Sequence, residues 1–239
     1  MIETVPETTS TNSDLVARLA GGERVPEGSW LVADRQSAGK GRQGRRWLDA
    51  PGNFMGSTVV RVSAHDPAPA SLSFVAALAT FETVLPGLGS PYGLQLKWPN
   101  DLLLNGAKLA GILLERSGDS AVVGIGVNLA GAPVLENRLA RHLAETGPAP
   151  DRDAFARALA TNFAHEVARW RSAGLEALLA RWQAAAHPVG TPLSVHEADG
   201  SRISGRFDGL GPDGALRLML TGGAVRTVHA GDVSLEEAK

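Results

Sequence analysis

The chain of 239 residues carries 23 Lys and Arg against 25 Asp and Glu, a formal net charge of −2, and no cysteine. That length accommodates one large domain plus a small one, and the balanced charge excludes sequence-independent binding along a polyanion, which needs a strongly basic face. The lack of cysteine excludes disulfides, thiolate metal sites and a Cys nucleophile; the acidic, Thr-rich start and the absence of a long apolar run predict a soluble, cytoplasmic protein with no membrane segment.

Ser10-Thr11-Asn12-Ser13-Asp14 supplies N-cap candidates ahead of Leu15, Val16 and Leu19, so a short helix is expected there, stopping at Gly21-Gly22. Residues 30–33 read as a strand, residues 54–62 as a second strand after the Pro51-Gly52-Asn53 turn, and residues 71–85 as a helix ended by Pro86-Gly87. Short strands follow at 94–97 and 102–104. Asn105-Gly106 then marks a tight hairpin into residues 108–115, and a strand over 121–129 completes a mixed sheet. Phe155, Leu159, Phe163, Val167 and Trp170 repeat at helical spacing, as do Leu175, Leu178, Leu179 and Trp182, giving two amphipathic helices that pack on the sheet.

From Pro188 the texture changes to short alternating segments at 193–196, 203–210, 215–220 and 225–229, separated by Asp199-Gly200, Asp213-Gly214 and Gly222-Gly223. That spacing is a small β-barrel signature of SH3-like size. The fold expected is therefore α+β: a mixed-sheet domain over 1–187 with packing helices, then a small SH3-like β-barrel over 188–239, joined at His187-Pro188-Val189-Gly190.

Three segments carry chemistry. Gly39-Lys40-Gly41-Arg42-Gln43-Gly44-Arg45-Arg46-Trp47 interleaves glycines with cations and closes on an indole. Glycine lets backbone N–H groups approach a ligand, and Lys and Arg supply charge-assisted hydrogen bonds, so the loop suits a phosphate or carboxylate; a solvated basic turn or nucleic-acid patch is the competing reading. Lys97-Trp98-Pro99-Asn100-Asp101 is followed by Lys108-Leu109-Ala110-Gly111-Ile112-Leu113-Leu114-Glu115. Here Lys108 follows a hairpin turn that can aim its ammonium into a cleft, and Asp101 is a candidate for Mg²⁺ or a partner cation; an ion pair between Lys97 and Asp101 is the alternative. Gly124-Ile125-Gly126-Val127-Asn128 places glycines inside a strand, which close packing or a ligand would explain. The six histidines have no metal-ligand spacing, and no Walker A string occurs.

In this order, these segments resemble the biotin protein ligase family over most of the chain. The resemblance implies a ligase that joins biotin and MgATP to biotinyl-5′-adenylate and pyrophosphate, then passes biotin to a lysine of a biotin carboxyl carrier domain. It implies that Ser10, Thr11 and Gln36 hold the ureido head of biotin, with Arg42 near its tail carboxylate and Asn12 among the binding residues. Arg42, Arg45 and Lys108 act as the anion contacts, and Gly39, Lys40, Gly41 and Trp47 belong to the loop over them. Gly111, Ile112 and Leu113, with Gly124 and Gly126, line the pocket, and Asn128 reads the adenine edge. Asn100 and Asp101 fall near the phosphates, with Asp101 either holding Mg²⁺ or orienting the incoming lysine, and Lys97 is among the binding residues. Lys40 departs from the Arg usual in the family, which keeps the charge and loses the bidentate fork.

The mixed anhydride is hydrolysable, so the 39–46 loop is expected to be mobile until ligand orders it. A lipoate or octanoate ligase is the nearest alternative, since it uses an equivalent acyl-adenylate. A nucleic-acid-binding protein is the alternative from another class, and the net charge and single tyrosine weigh against it. Some relatives carry an N-terminal helix-turn-helix domain; about ten residues before the Ser10 motif are too few for one, so no DNA binding is expected. A homodimer is left open.

Overall fold

The computed structural model describes residues 1–90, 93–134, 139–197 and 200–236; Asp199 of the expected Asp199-Gly200 turn lies outside them. Among the described residues, twelve strands form two sheets and three α-helices accompany them. The large sheet contains β1 (Ile2–Thr8), β2 (Trp30–Gln36), β3 (Phe54–Arg61), β4 (Leu94–Lys97), β5 (Asp101–Leu104), β6 (Ala107–Ser117) and β7 (Ser120–Val127), in the order β1-β2-β3-β7-β6-β5-β4. Only β1 and β2 pair in parallel, so the sheet is mixed, as expected.

Period-two alternation sorts the residues of this sheet. Trp30, Val32, Phe54, Val60, Val123 and Ile125 point to one face, where α2 (Leu72–Val84) and α3 (Arg152–Ala185) cover them. Leu31, Val59 and Val122 point the other way and pack on Leu15 of α1 (Thr11–Ala20). Aromatic contacts lock the first face: Trp30 meets Phe163, and Phe54 meets Phe155, each with ring centroids 5.5 Å apart. The two helices expected from the spacing of Phe155 to Trp182 form one α3 broken at Gly174, whose φ of 77° ends the first helical run. Pro69–Gly87 is apolar and long enough to cross a membrane by length and composition, yet α2 within it is largely buried against the large sheet as a core helix.

The small sheet contains β8 (Pro192–His196), β9 (Arg202–Leu210), β10 (Leu216–Met219), β11 (Val225–Val228) and β12 (Asp232–Leu235), all antiparallel, in the order β11-β10-β9-β8-β12. Its strand count and size suit the SH3-like module. Its inward residues Leu193, Val195, Phe207 and Leu216 belong to the same core cluster as Leu96, Trp98 and Trp182, so one continuous core spans both sheets.

Two strands go beyond the sequence expectation. β1 contains Pro6 and two glutamates, features that suppress a strand reading yet suit an edge; Pro6 is skipped in the parallel register with β2. β12 is four residues long near the chain end and is specified by pairing with β8. The Asn105-Gly106 hairpin forms as expected, with φ of 49° and 77° at its two central residues, the left-handed conformations that a two-residue turn requires.

Candidate functional site

A cavity of about 580 Å³ opens on the α1 face of the large sheet. Its floor is β6 and β7, where Gly111 pairs with Gly126 and Leu113 with Gly124. A Cβ on Gly126 would stand 2.5 Å from the Trp47 indole, and one on Gly124 would collide with the Asn12 side-chain oxygen. These glycines therefore permit close approach of the loop indole and of α1 to the sheet.

One end of the cavity is neutral and hydrogen-bonding. Ser10 caps α1, its hydroxyl accepting from the Ser13 N–H, and the same turn delivers Thr11 and Asn12 to the wall. Gln36 Oε1 accepts from the Thr11 backbone N–H at 2.8 Å. The Thr11 and Ser57 hydroxyls meet at 2.7 Å, Ser57 donates to Asn12 Oδ1 at 2.7 Å, and Asn12 Nδ2 donates to a Glu115 carboxylate oxygen at 2.7 Å. The Thr11 hydroxyl also reaches Gln36 Oε1 at 3.2 Å, so its single proton serves either Gln36 or Ser57, and the network links Gln36 to the Glu115 carboxylate through Thr11, Ser57 and Asn12. Ser57 and Glu115 were not among the expected site residues. The signal for Glu115 was an acid at the end of the Lys108 segment; Ser57 is a fully buried hydroxyl in the apolar strand β3, with no sequence signal of its own.

The other end is cationic. Lys40, Arg42, Arg45, Arg46 and Lys108 line it together with Asn100 and Trp47. The loop carrying four of these cations folds on itself: the Gly41 N–H donates to the Arg45 carbonyl at 2.7 Å and the Trp47 N–H to the Gly39 carbonyl at 2.9 Å. Arg42 Nη1 donates to Asn100 Oδ1 at 3.2 Å, and Asn100 Nδ2 donates to the Ile112 carbonyl at 2.6 Å, tying the loop to β6. Desolvation lowers the Arg42 pKa and the Arg45 charge adds to this, while Asp101 and Asp232 oppose it.

Asp101 is 5% exposed and stands behind this wall. Lys108 Nζ lies 2.6 Å from one of its oxygens and Lys97 Nζ 2.9 Å from the other. Burial works to raise its pKa, but the Lys108 and Lys97 ammonium groups override it, and the carboxyl is held well below the usual range. Lys108 lies between Asp101 and the cavity.

Of the expected residues, Ser10, Thr11, Asn12, Gln36, Lys40, Gly41, Arg42, Arg45, Trp47, Asn100, Lys108, Gly111, Ile112, Leu113, Gly124, Gly126 and Asn128 all line the cavity. Gly39, Lys97 and Asp101 do not. A Cβ on Gly39 would press on the Trp47 carbonyl, so this residue shapes the loop. Lys97 turns to Asp101 and to the Val233 carbonyl, which matches the ion-pair alternative. Asp101 has both oxygens within ion-pair distance of an ammonium group, Lys108 on one and Lys97 on the other. Among the described residues, no three His, Asp or Glu side chains gather in a way that could hold a metal ion. Asn128 lines the cavity with its amide partly committed, Nδ2 donating to the Arg141 carbonyl at 3.1 Å.

Comparison with known proteins shows the family. Residues 5–131 match the model of the Biotin/lipoate A/B protein ligase family. A biotin–[acetyl-CoA-carboxylase] ligase of Paracoccus denitrificans is 40% identical over 232 residues, 92% of this chain and 94% of that one. A ligase of the same name from Mycobacterium tuberculosis is 36% identical, covering 97% of this chain and 88% of that one. A solved biotin protein ligase from Aquifex aeolicus, in complex with biotin and ATP, superposes with a TM-score of 0.85 at 25% identity, with 99% of each chain covered. By these matches, and by a cavity that sets neutral hydrogen-bonding groups opposite cations, the chain belongs to the biotin/lipoate A/B protein ligase family.

Proposed function

We infer that this chain is a biotin–protein ligase, which activates biotin with MgATP to biotinyl-5′-adenylate and transfers the biotinyl group to a lysine of a biotin carboxyl carrier domain. The observation that carries the reading is one cavity with two chemically opposite ends on a glycine floor. A neutral urea needs donors and acceptors without charge, and two anions brought together need cations. Biotin is favoured over lipoate or octanoate because the relatives above are named as biotin ligases. An ATP-consuming ligase of this kind is expected in the cytoplasm.

In the first step a biotin carboxylate oxygen attacks the α-phosphorus of ATP, a P–O bond forms, and pyrophosphate leaves with the bonding pair. Thr11, Gln36 and Asn12, prearranged by Ser57 and Glu115, hold the ureido head. Arg42, Arg45 and Lys108 stabilise the charge shared by the carboxylate and the transferring phosphoryl group. Mg²⁺ arrives with the nucleotide, as part of the substrate, since Asp101 is committed to two ammonium groups. In the second step the uncharged carrier lysine attacks the acyl carbonyl, an amide forms, AMP departs and the amine loses a proton. The adenylate is already activated, so no protein nucleophile is required.

The test is biotin-dependent ATP–pyrophosphate exchange, with lipoate and octanoate in parallel. Exchange with biotin alone is expected. Exchange only with lipoate or octanoate would move the substrate, and exchange with none of the acids would overturn the ligase reading.

A further inference from the structure

Two neighbouring residues of β12, in the small sheet, reach the cations of the large-sheet cavity. The Asp232 carboxylate receives the Arg45 guanidinium on both oxygens, at 3.0 and 3.5 Å, while Arg45 Nε donates to the Arg42 carbonyl at 3.3 Å. The Val233 carbonyl accepts from Lys97 Nζ at 2.7 Å. Lys97 in turn pairs with Asp101, and Asp101 with Lys108. Both cationic arms of the cavity, the loop arginine and the β6 lysine, thus trace back to one short strand of the other sheet.

We propose that β12 is a positioning element of the phosphate end, with Asp232 as the positioning residue for Arg45; this rests on the ligase reading above. Arg45 lines the cavity while paired to Asp232, so the contact is made in a state that already faces the substrate. Its side chain is 40% exposed, and an exposed arginine without a fixed partner samples many rotamers. The near-parallel fork to a carboxylate removes that freedom, because a planar guanidinium is oriented by two contacts rather than one. Each of the two terminal nitrogens keeps a further N–H for phosphate oxygens. The continuous core between the sheets supplies the rigidity that transmits the placement.

The experiment uses the full chain and two readouts. Calorimetric titration with inorganic pyrophosphate reads the cation cluster directly, and exchange kinetics separate the KM for ATP from that for biotin. In Asp232→Asn, pyrophosphate affinity is expected to fall and the ATP KM to rise by about tenfold, with the biotin KM moving by less than about twofold. Asp232→Glu is expected to recover most of the loss. In an Arg45→Gln background, Asp232→Asn should add nothing further, because its effect passes through Arg45. Unchanged or tighter pyrophosphate binding in Asp232→Asn overturns the proposal, as does an equal loss for biotin and ATP or an additive loss in the double variant. If Asp232→Asn has no melting transition, Asp232→Glu decides: a tenfold loss in that folded variant overturns the proposal, and near-normal affinity supports it. Wild-type protein that binds pyrophosphate but shows no biotin-dependent exchange would sink the ligase reading, leaving the pyrophosphate arm to judge Asp232.

Discussion

Lys108 is fixed from two directions: Asp101 lies 2.6 Å from its ammonium, and the Trp47 ring centroid lies 5.8 Å away. The side chain is 23% exposed, so the charge is shielded from water yet open to the cavity. Replacing it with Gln removes the charge where negative charge develops, and the exchange rate is expected to fall by about 10²–10³-fold, read by steady-state kinetics. His187 is a second residue whose surroundings set its titration. It is 2% exposed and meets Phe207 edge-on, with ring centroids 4.4 Å apart. Burial first, and then the Lys97 ammonium, push its pKa down from 6.5 to about 4. In the unfolded chain the imidazole takes a proton below pH 6.5, whereas the folded one resists until about 4, so stability is lost as pH falls through that window. The loss between pH 7.5 and 5 should be about 2 kcal/mol in urea unfolding, and His187→Phe should flatten it. Asp101 acts in a lower window: its folded pKa lies below 3.8, so its contribution is present above that value and lost beneath it.

At the scale of elements, the β2–β3 loop is where backbone and charge meet. Its 42–44 turn has a left-handed Gln43 at φ 55°, and its arginines 45 and 46 are exposed. It is pinned by side chains more than by strand pairing: Arg42 to Asn100, Arg45 to Asp232, and Arg46 Nη2 to the Ser37 carbonyl at 2.8 Å. Few buried apolar contacts hold such a segment, so local opening should be frequent without substrate. Limited trypsin digestion is expected to cut first within residues 40–46 and to slow by about tenfold when biotin and ATP are both added. Cleavage elsewhere first, or no protection, would mean that substrate does not order this loop. The glycine motifs of this site were legible in sequence because a strand glycine or a glycine-cation alternation has little purpose without a close neighbour. Ser57 was not legible, because a serine in an apolar strand gains meaning only when Thr11 and Asn12 of α1 are seen against it.

At the scale of the molecule, the two sheets share one core and exchange specific contacts. Trp98 Nε1 donates to the Gly214 carbonyl at 3.0 Å, and the Leu210 N–H donates to Gln183 Oε1 at 2.8 Å. Phe74 and Trp182 pack edge to face at 5.4 Å beside Gly214. A division at residues 187–188 therefore separates the sheets without separating the core. A chain ended after His187 would expose Leu96, Trp98 and Trp182, and losing the cover of even a few such side chains forfeits several kcal/mol, each being worth about 1.5–3 kcal/mol. Such a fragment is expected to lack a cooperative melting transition and to bind a hydrophobic dye. A sharp transition near that of the full chain would show that the large-sheet region folds alone.

By itself the sequence determined the α+β class, the helix and strand periods, the hairpin at Asn105-Gly106 and the motif residues that make up much of the cavity lining, because these depend on local patterning, turn chemistry and short motifs. The tertiary structure alone decided which side chains Asp101 meets. An acid between Lys97 and Lys108 is compatible with a metal, a substrate amine or an ion pair until the distances to both ammonium groups are known. It likewise decided that β1 is a strand and that Asp232 meets Arg45. An edge strand with proline and acids is specified by its neighbour, and a contact spanning 187 positions leaves no periodic trace in the chain.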